Sequence, residues 1–216
     1  MEKRQRPLLI LGTRTLAVEI ADLASEIPGV EVAGFVENEN RDKCHDTLEG
    51  LPIHWVDELA RMKDTHMAIG GLATTHRSRF ILQAAACGVQ FATLVHPRAR
   101  ISSRACLGDG TFVSAGSIVS AHCVLGPHVF VNRGVLIGHH TEIGVFATIQ
   151  PGANIAGRCR IEEHAYIGMG ALVVDNITIG AYSFIGAGSL VSKDMPDHVQ
   201  AVGAPARVIQ RNFEGK

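Results

Sequence analysis

From Ile101 to Val191 every sixth residue is aliphatic, through Leu107, Val113, Val119, Leu125, Val131, Ile137, Ile143, Ile149, Ile155, Ile161, Ile167, Val173, Ile179 and Ile185. Four places after each comes a mostly small residue, among them Ala105, Thr111, Ser117, Cys123, Thr141, Ala147, Ala153, Cys159, Ala165, Ala171, Ser183 and Ser189. The pair between is often turn-like, as in AspGly, AlaGly, ProGly and AspAsn. A fixed period of this kind decides the fold before local propensity does, and a helical period of about 3.6 cannot produce it. The small residue and the next aliphatic are two apart, so both point inward from one short strand while the turn pair makes a corner. Three such faces close a coil of about 18 residues, and coils stacked at roughly 4.8 Å make a triangular β-prism whose aliphatic rings no single coil could bury alone. Each buried position contributes about 1.5–3 kcal/mol, which makes the register an energetic requirement.

Ahead of the repeat the pattern alternates. A strand is expected over 7–12, a helix over 15–26, a strand over 31–36, a short helix over 56–62, a strand over 66–69, a helix over 76–88 and a strand over 91–95. This reads as a small parallel-sheet, Rossmann-like α/β unit. Two domains follow, an α/β domain over 1–95 and the prism with a C-terminal tail over 96–216, joined near His96 and Pro97. The first strand runs into Gly12, Thr13 and Arg14 before a helix, where backbone amides and the helix dipole favour phosphate. The second ends at Glu37, where a polar side chain meets a ribose or base, and Gly70 and Gly71 follow the third, on the carboxyl edge where open α/β sheets bind ligands. A plain strand-to-helix turn is the alternative reading, since GlyThrArgThr holds one glycine.

Composition narrows the function classes. The 216 residues carry a formal charge of −1, without a basic run or a long apolar stretch, so neither a nucleic-acid footprint nor a membrane span is expected. Five cysteines, Cys44, Cys87, Cys106, Cys123 and Cys159, lack paired metal spacing, and no signal-peptide pattern opens the sequence. Buried free thiols in a reducing cytoplasm are the expectation.

The unbroken hexads, the bridge LeuValHisProArgAlaArgIleSer (94–102), the segment ValAsnArgGlyValLeuIleGlyHisHisThrGluIleGly (131–144) and the close GlyAlaProAlaArg (203–207) together resemble the left-handed β-helix nucleotide-sugar N-acyltransferases of the bacillosamine, perosamine and sialic-acid acetyltransferase type. The resemblance spans nearly the whole chain. It implies a left-handed parallel β-helix, a homotrimer with sites between subunits, acetyl-CoA as acyl donor without a metal, and a role in bacterial surface-glycan (lipopolysaccharide or O-antigen) biosynthesis. The acceptor implied is a nucleotide-linked amino sugar, in the 4-amino-4,6-dideoxyhexose class.

In that family a catalytic histidine stands at a β-helix corner seven residues after an asparagine, which maps onto His139 after Asn132. The next residue there is usually Asp or Glu, and here it is His140. An amino sugar is largely ammonium at neutral pH, so a base must remove a proton before the amine attacks a thioester, and histidine suits that task. By position Thr148, Gly157, Met169 and Ala187 correspond to the family's coenzyme A groove, with Pro205 and Arg207 near the adenosine end. Gly12, Thr13, Arg14, Glu37 and Gly70 are the sugar-nucleotide candidates, Arg14 toward the diphosphate. His122 lies 18 residues before His140 and is expected one coil beneath it, with Arg158 and Asn176 continuing the column, while His128 and His164 read as ordinary solvated corner residues. Alternatives are an O-acetyltransferase of the same fold, a γ-type carbonic anhydrase with histidines around zinc, and a noncatalytic binding module.

Overall fold

The computed structural model describes residues 6–72 and 74–213, so the first five and last three residues of the two expected domains lie outside the described residues. The chain divides into one unit of residues 1–73 and 77–96 and a second of 74–76 and 97–216. The first unit runs β1 (Leu8–Leu11), α1 (Thr15–Ser25), β2 (Val32–Glu37), β3 (Thr47–Leu48), β4 (Leu51–Trp55), α2 (Leu59–Met62), β5 (Met67–Gly70), α3 (Ser78–Ala86) and β6 (Gln90–Phe91). The sheet order is β3-β4-β2-β1-β5-β6. Every described pair is parallel except the β3–β4 hairpin. The expected parallel-sheet unit is present, with that hairpin adding one antiparallel pair at its edge. Strand β1 reads LeuLeuIleLeu and is buried throughout, as a central parallel strand covered on both faces must be. Helix α1 packs against β1 and β2 by burying Ala17, Ile20 and Ala24, three, four and seven residues apart along one face.

At the carboxyl end of this sheet the Glu37 side chain is buried and saturated. One carboxylate oxygen accepts the backbone amides of Asn38 and Glu39 at 3.0 and 2.9 Å. The other accepts the Thr13 hydroxyl at 2.5 Å and the Lys43 ammonium at 2.7 Å. Lys43 also donates to the Thr13 hydroxyl at 3.0 Å, closing a triangle between the β1–α1 turn, the end of β2 and the 3₁₀ turn Arg41–His45. Burial alone raises the carboxyl pKa, but the bonds from Lys43, Thr13 and the Glu39 and Asn38 amides outweigh it and lower it from 4.5 to about 2.

In the second unit the hexads become two-residue strands on three parallel sheets. Val113 lies beside Val131 and Val131 beside Ile149 on the first face; Val119 beside Ile137 on the second; Leu125 beside Ile143 on the third. Each partner is one 18-residue coil away, as the period requires. The inward aliphatics from Val113 to Val191 are all buried. The small inward positions from Thr111 to Ser189 are buried too, and four of their hydroxyls and thiols donate to a carbonyl fifteen residues on: Ser117 to Asn132 at 2.8 Å, Thr141 to Ala156 at 3.1 Å, Cys123 to Gly138 and Cys159 to Val174 at 3.1 Å. Of the cysteines only Cys123 and Cys159 are buried; Cys44 and Cys87 are half-buried and Cys106, on an outward position, is exposed, which corrects the expectation of five buried thiols.

The corners hold the backbone's one recurrent strain. At the same place in successive hexads the chain enters the left-handed region, φ between 56° and 72°, from Gly110 to Gly188. On the first corner this residue is glycine each time: Gly116, Gly134, Gly152, Gly170 and Gly188. On the second it is His122, His140, Arg158 and Asn176; on the third, after Gly110, His128, Phe146, His164 and Tyr182, with His198 beyond them at φ 53°. The third-corner rings form a ladder, with centroids 5.1, 5.0, 4.5 and 5.0 Å apart from His128 to His198, face to face except for the Phe146–His164 pair, which is tilted by 34°. His128 and His164 are therefore members of a ring stack, a correction to their reading as solvated corner residues.

The last coil is shorter. Ile179 bridges Met195 and Ile185 pairs with Ala201, each sixteen residues on, and the carboxylates of Asp194 and Asp197 accept the Thr178 and Ala181 amides at 2.8 and 2.9 Å. Side chains thus satisfy edge amides that a further coil would have bonded. An antiparallel hairpin, Val199–Gly203 with Ala206–Arg211, ends the first sheet.

Ile167 is fully buried in the prism. Ile167→Ala is expected to cost about 2–5 kcal/mol, read as a lower urea midpoint, and Ile167→Asp to abolish cooperative unfolding of the prism. Glu37 makes a pH prediction: its folded pKa is depressed, so its stabilisation is complete above pH 4.5 and is lost as pH falls toward about 2. Fluorescence of Trp55, which pairs with Glu37 on β4 and is the single tryptophan, reports this unit. Urea unfolding followed at Trp55 should lose up to about 3 kcal/mol across that window, and Glu37→Gln should flatten the slope.

Candidate active site

The second corner is the one whose left-handed column is polar at every level, and it carries His139. Its exposed ring lies over the next coil, where a Cβ at Gly157 would come within 2.8 Å of it. A side chain at 157 would therefore displace the imidazole from this position, and the His139 carbonyl accepts the Arg158 amide at 2.8 Å. His139 Nδ1 lies 3.1 Å from His140 Nδ1, the two rings edge-on at 86°. His140 in turn stacks on His122 of the coil below, centroids 4.7 Å apart. The expected column of His122, His140, Arg158 and Asn176 is present, all four with left-handed backbone. Glu142 does not join the histidines; it pairs with Arg160 at 3.3 Å on the third face.

The other prism candidates fall elsewhere. Asn132 is on the first corner, its carboxamide oxygen accepting the Arg133 amide at 2.8 Å and its nitrogen donating to Gln150 at 3.3 Å. The strand Leu136–Ile137 of the second face separates it from His139. Met169 and Ala187 share that first corner on consecutive coils, both exposed, Met169 at 58%. Thr148 is buried on the first face, 1% exposed, and offers a ligand no open surface. Pro205 and Arg207 are exposed on the terminal hairpin. Gly157 alone of the groove candidates sits beside His139. Between the first and second corners the second face exposes Ile118, Leu136 and Leu172, each 40–47% accessible.

Burial raises the thiol pKa values of Cys123 and Cys159, and with their hydrogen atoms committed to carbonyls they are poor nucleophiles. Among the described residues no three His, Cys, Asp or Glu side chains group as a metal site would need. A broad groove of about 990 Å³ on the third face is lined by Glu162, Glu163, Asp194 and Asp197, an acidic surface that repels phosphates.

In the first unit Gly12 has φ 122°, and a Cβ there would meet Leu72 and the Gly71 carbonyl at 3.0 and 3.1 Å. A Cβ at Gly70 would meet Ile81 of α3 at 2.9 Å. Arg14 is exposed and pairs loosely with Glu39 at 3.6 Å. Glu37 has all its lone pairs engaged, so it organises Thr13 and Lys43 and has no free acceptor for a ribose. Lys43, absent from the sequence candidates, brings a half-exposed ammonium to the same edge.

Comparison with known proteins follows the same division. The pattern of the family "Bacterial transferase hexapeptide (six repeats)" matches residues 158–193. No curated protein sequence matches the chain. Among solved structures, the acetyltransferase domain of PglB from Neisseria gonorrhoeae, in complex with acetyl coenzyme A, is 27% identical over 95% of this chain and all of its own, with a TM-score of 0.87. PerB from Caulobacter crescentus, in complex with CoA and GDP-perosamine, is 27% identical over 94% of this chain and 97% of its own, TM-score 0.86. WeeI from Acinetobacter baumannii, at 22% identity and TM-score 0.69 over 94% of this chain and 99% of its own, shares the fold. The α/β unit and the hexad prism are thus similar, along nearly the whole chain, to sugar acetyltransferases of the hexapeptide-repeat type.

Proposed function

We propose that this chain transfers an acyl group, acetyl in the first instance, from coenzyme A to the amine of a nucleotide-linked 4-amino-4,6-dideoxyhexose, with His139 as general base. The observation that carries the reading is the exposed His139 imidazole, held over Gly157 with Nδ1 engaged and Nε2 directed away from that contact. The PglB domain and PerB, similar over nearly the whole chain, support the choice of donor and of acceptor class.

In this reaction His139 Nε2 takes a proton from the amine, the nitrogen attacks the thioester carbonyl, and a backbone N–H stabilises the oxyanion. With the first ammonium proton passed on to solvent, the tetrahedral intermediate gives its second N–H proton to His139 and collapses with loss of the thiolate, which takes up that proton and leaves as coenzyme A. No covalent enzyme intermediate forms, in keeping with the carbonyl-bonded Cys123 and Cys159.

The first unit is the nucleotide-sugar domain of this proposal. Gly12, Thr13 and Gly70 shape the carboxyl edge, and Arg14 and Lys43 supply cations for the diphosphate. Gly157, Met169, Ala187, Pro205 and Arg207 are the coenzyme A candidates with accessible surface. They are divided between two corners of one protomer. A homotrimer in which second faces bury Ile118, Leu136 and Leu172 and bring the first corner of one copy, with Asn132, to the second corner of the next would unite them. No helix of the described residues is long and apolar enough to cross a membrane. We place the reaction in the cytoplasm, feeding surface-glycan assembly, where coenzyme A and sugar nucleotides are available and five free cysteines stay reduced.

A thiol-release assay with acetyl-CoA against UDP-, GDP- and dTDP-linked 4-amino-4,6-dideoxyhexoses tests the proposal. Turnover of one member is expected, reduced about 100-fold or more in His139→Asn with folding intact. A folded His139→Asn that turns over like the native chain removes His139 as base. Activity confined to sugar hydroxyls identifies an O-acetyltransferase.

A further inference from the structure

The His139–His140 contact constrains where protons sit. Two Nδ1 atoms 3.1 Å apart form a hydrogen bond only if one of them carries the proton and the other presents its lone pair. If His140 were the donor, His139 would carry its own proton on Nε2 in the neutral state and have no lone pair there to act as base. After His139 has taken up a proton both its nitrogens are donors, and the contact survives only with His140 as acceptor. The base reaction is therefore compatible with one arrangement.

We propose that His140 is the positioning residue of His139: its unprotonated Nδ1 accepts the His139 Nδ1–H, which fixes the ring over Gly157 and leaves Nε2 as the lone pair facing substrate. This rests on the reading of His139 as general base. The surroundings of His140 favour the neutral acceptor. It faces His122 on the coil below, Arg158 on the coil above and His139 on its own corner. The nearby carboxylates are turned elsewhere, Glu142 to Arg160 and Asp175 to the Asn176 amide. Desolvation in the column, followed by His122, His139 and Arg158, lowers the His140 pKa below its ordinary value. His140 is thus neutral at pH 7, and it protonates only as pH falls through that lowered pKa, when two N–H groups confront one another and the contact is lost.

A neutral acceptor in place of a carboxylate has a consequence for pH. A carboxylate stabilises the imidazolium by charge and moves its titration upward. A neutral imidazole orients the ring without that charge, so a carboxylate at position 140 would add a stabilisation of the imidazolium that the native residue does not supply.

The backbone selects the variants. His140 has φ 58°, which Gly, Asn and Asp tolerate. His140→Gly deletes the acceptor, His140→Asn supplies a neutral carbonyl oxygen and His140→Asp an anionic one. In the full-length ¹⁵N-histidine-labelled protein at neutral pH, imidazole ¹⁵N–¹H correlation spectra should show His139 protonated on Nδ1 and not on Nε2. That bias should relax in His140→Gly and persist in His140→Asn and His140→Asp. With the sugar nucleotide from the panel that the native chain acetylates, His140→Gly should lose about 10- to 100-fold in kcat with little change in either KM. His140→Asp should recover most of it with the acid limb of the kcat profile displaced to higher pH. A His139 proton found on Nε2, or a tautomer bias unchanged in His140→Gly, overturns the proposal, as does undiminished kcat in folded His140→Gly. The spectra need no substrate, so an active His139→Asn would remove the base assignment while leaving the tautomer result to stand or fall separately.

Discussion

Every feature of the second unit depends on one ladder, the in-register pairing of each hexad with the one 18 residues on. Two-residue strands are too short to hold a sheet by their own bonds, since a few hydrogen bonds at about 1 kcal/mol net do not meet the entropy of ordering the chain. The inward aliphatics supply what is missing, each ring capped by the coil above and below. Because the ladder repeats, a residue at a given corner meets the same corner of the next coil, and side chains eighteen apart become contacts. The histidine pair is a product of this arithmetic: His122 lies under His140 and Gly157 over His139 because the prism permits no other register.

The ladder makes long-range contacts readable as sequence offsets, and so the aliphatic ring, the small inward positions and the His122–Arg158 column could be written down from the sequence. Where the period breaks, legibility ends. The last coil of sixteen residues and its Asp194 and Asp197 caps follow no repeat. Strand β4 contains Pro52, which lacks the N–H a ladder needs and argues locally against a strand; it is tolerated because β2 pairs with Ile53–Trp55 beyond it. Lys43 was invisible for another reason. Its meeting with Glu37 depends on a 3₁₀ turn capped by Asn40, whose side chain accepts the Asp42 amide, and no spacing rule announces that geometry.

The hidden ring ladder shows why residue type alone misleads at the corners. His128, Phe146, His164 and Tyr182 occupy backbone that glycine would adopt without strain. Left-handed backbone costs an ordinary residue about 1–2 kcal/mol, while a stacked ring pair contributes about 0.5–1.5 kcal/mol. A ring stacked on both sides therefore offsets its strain, whereas an isolated one would not. The spacing of eighteen was visible, but mixed histidine, phenylalanine and tyrosine do not look like a repeat until the rings are seen face to face.

The same reckoning applied to the second corner separates packing from chemistry. Its left-handed residues are His122, His140, Arg158 and Asn176, of which only His122 and His140 stack, and no aromatic ladder runs through them. The first corner solves the same backbone problem with glycine at every level, so the fold itself does not demand side chains here. What His140 gains against its strain is the stack on His122 and the 3.1 Å contact with His139, and in the proposed reaction the second of these orients the base. The prism supplies three equivalent corners. A glycine column leaves the first smooth, stacked rings line the third, and the second carries the polar column on which the proposed proton transfer to His139 is placed.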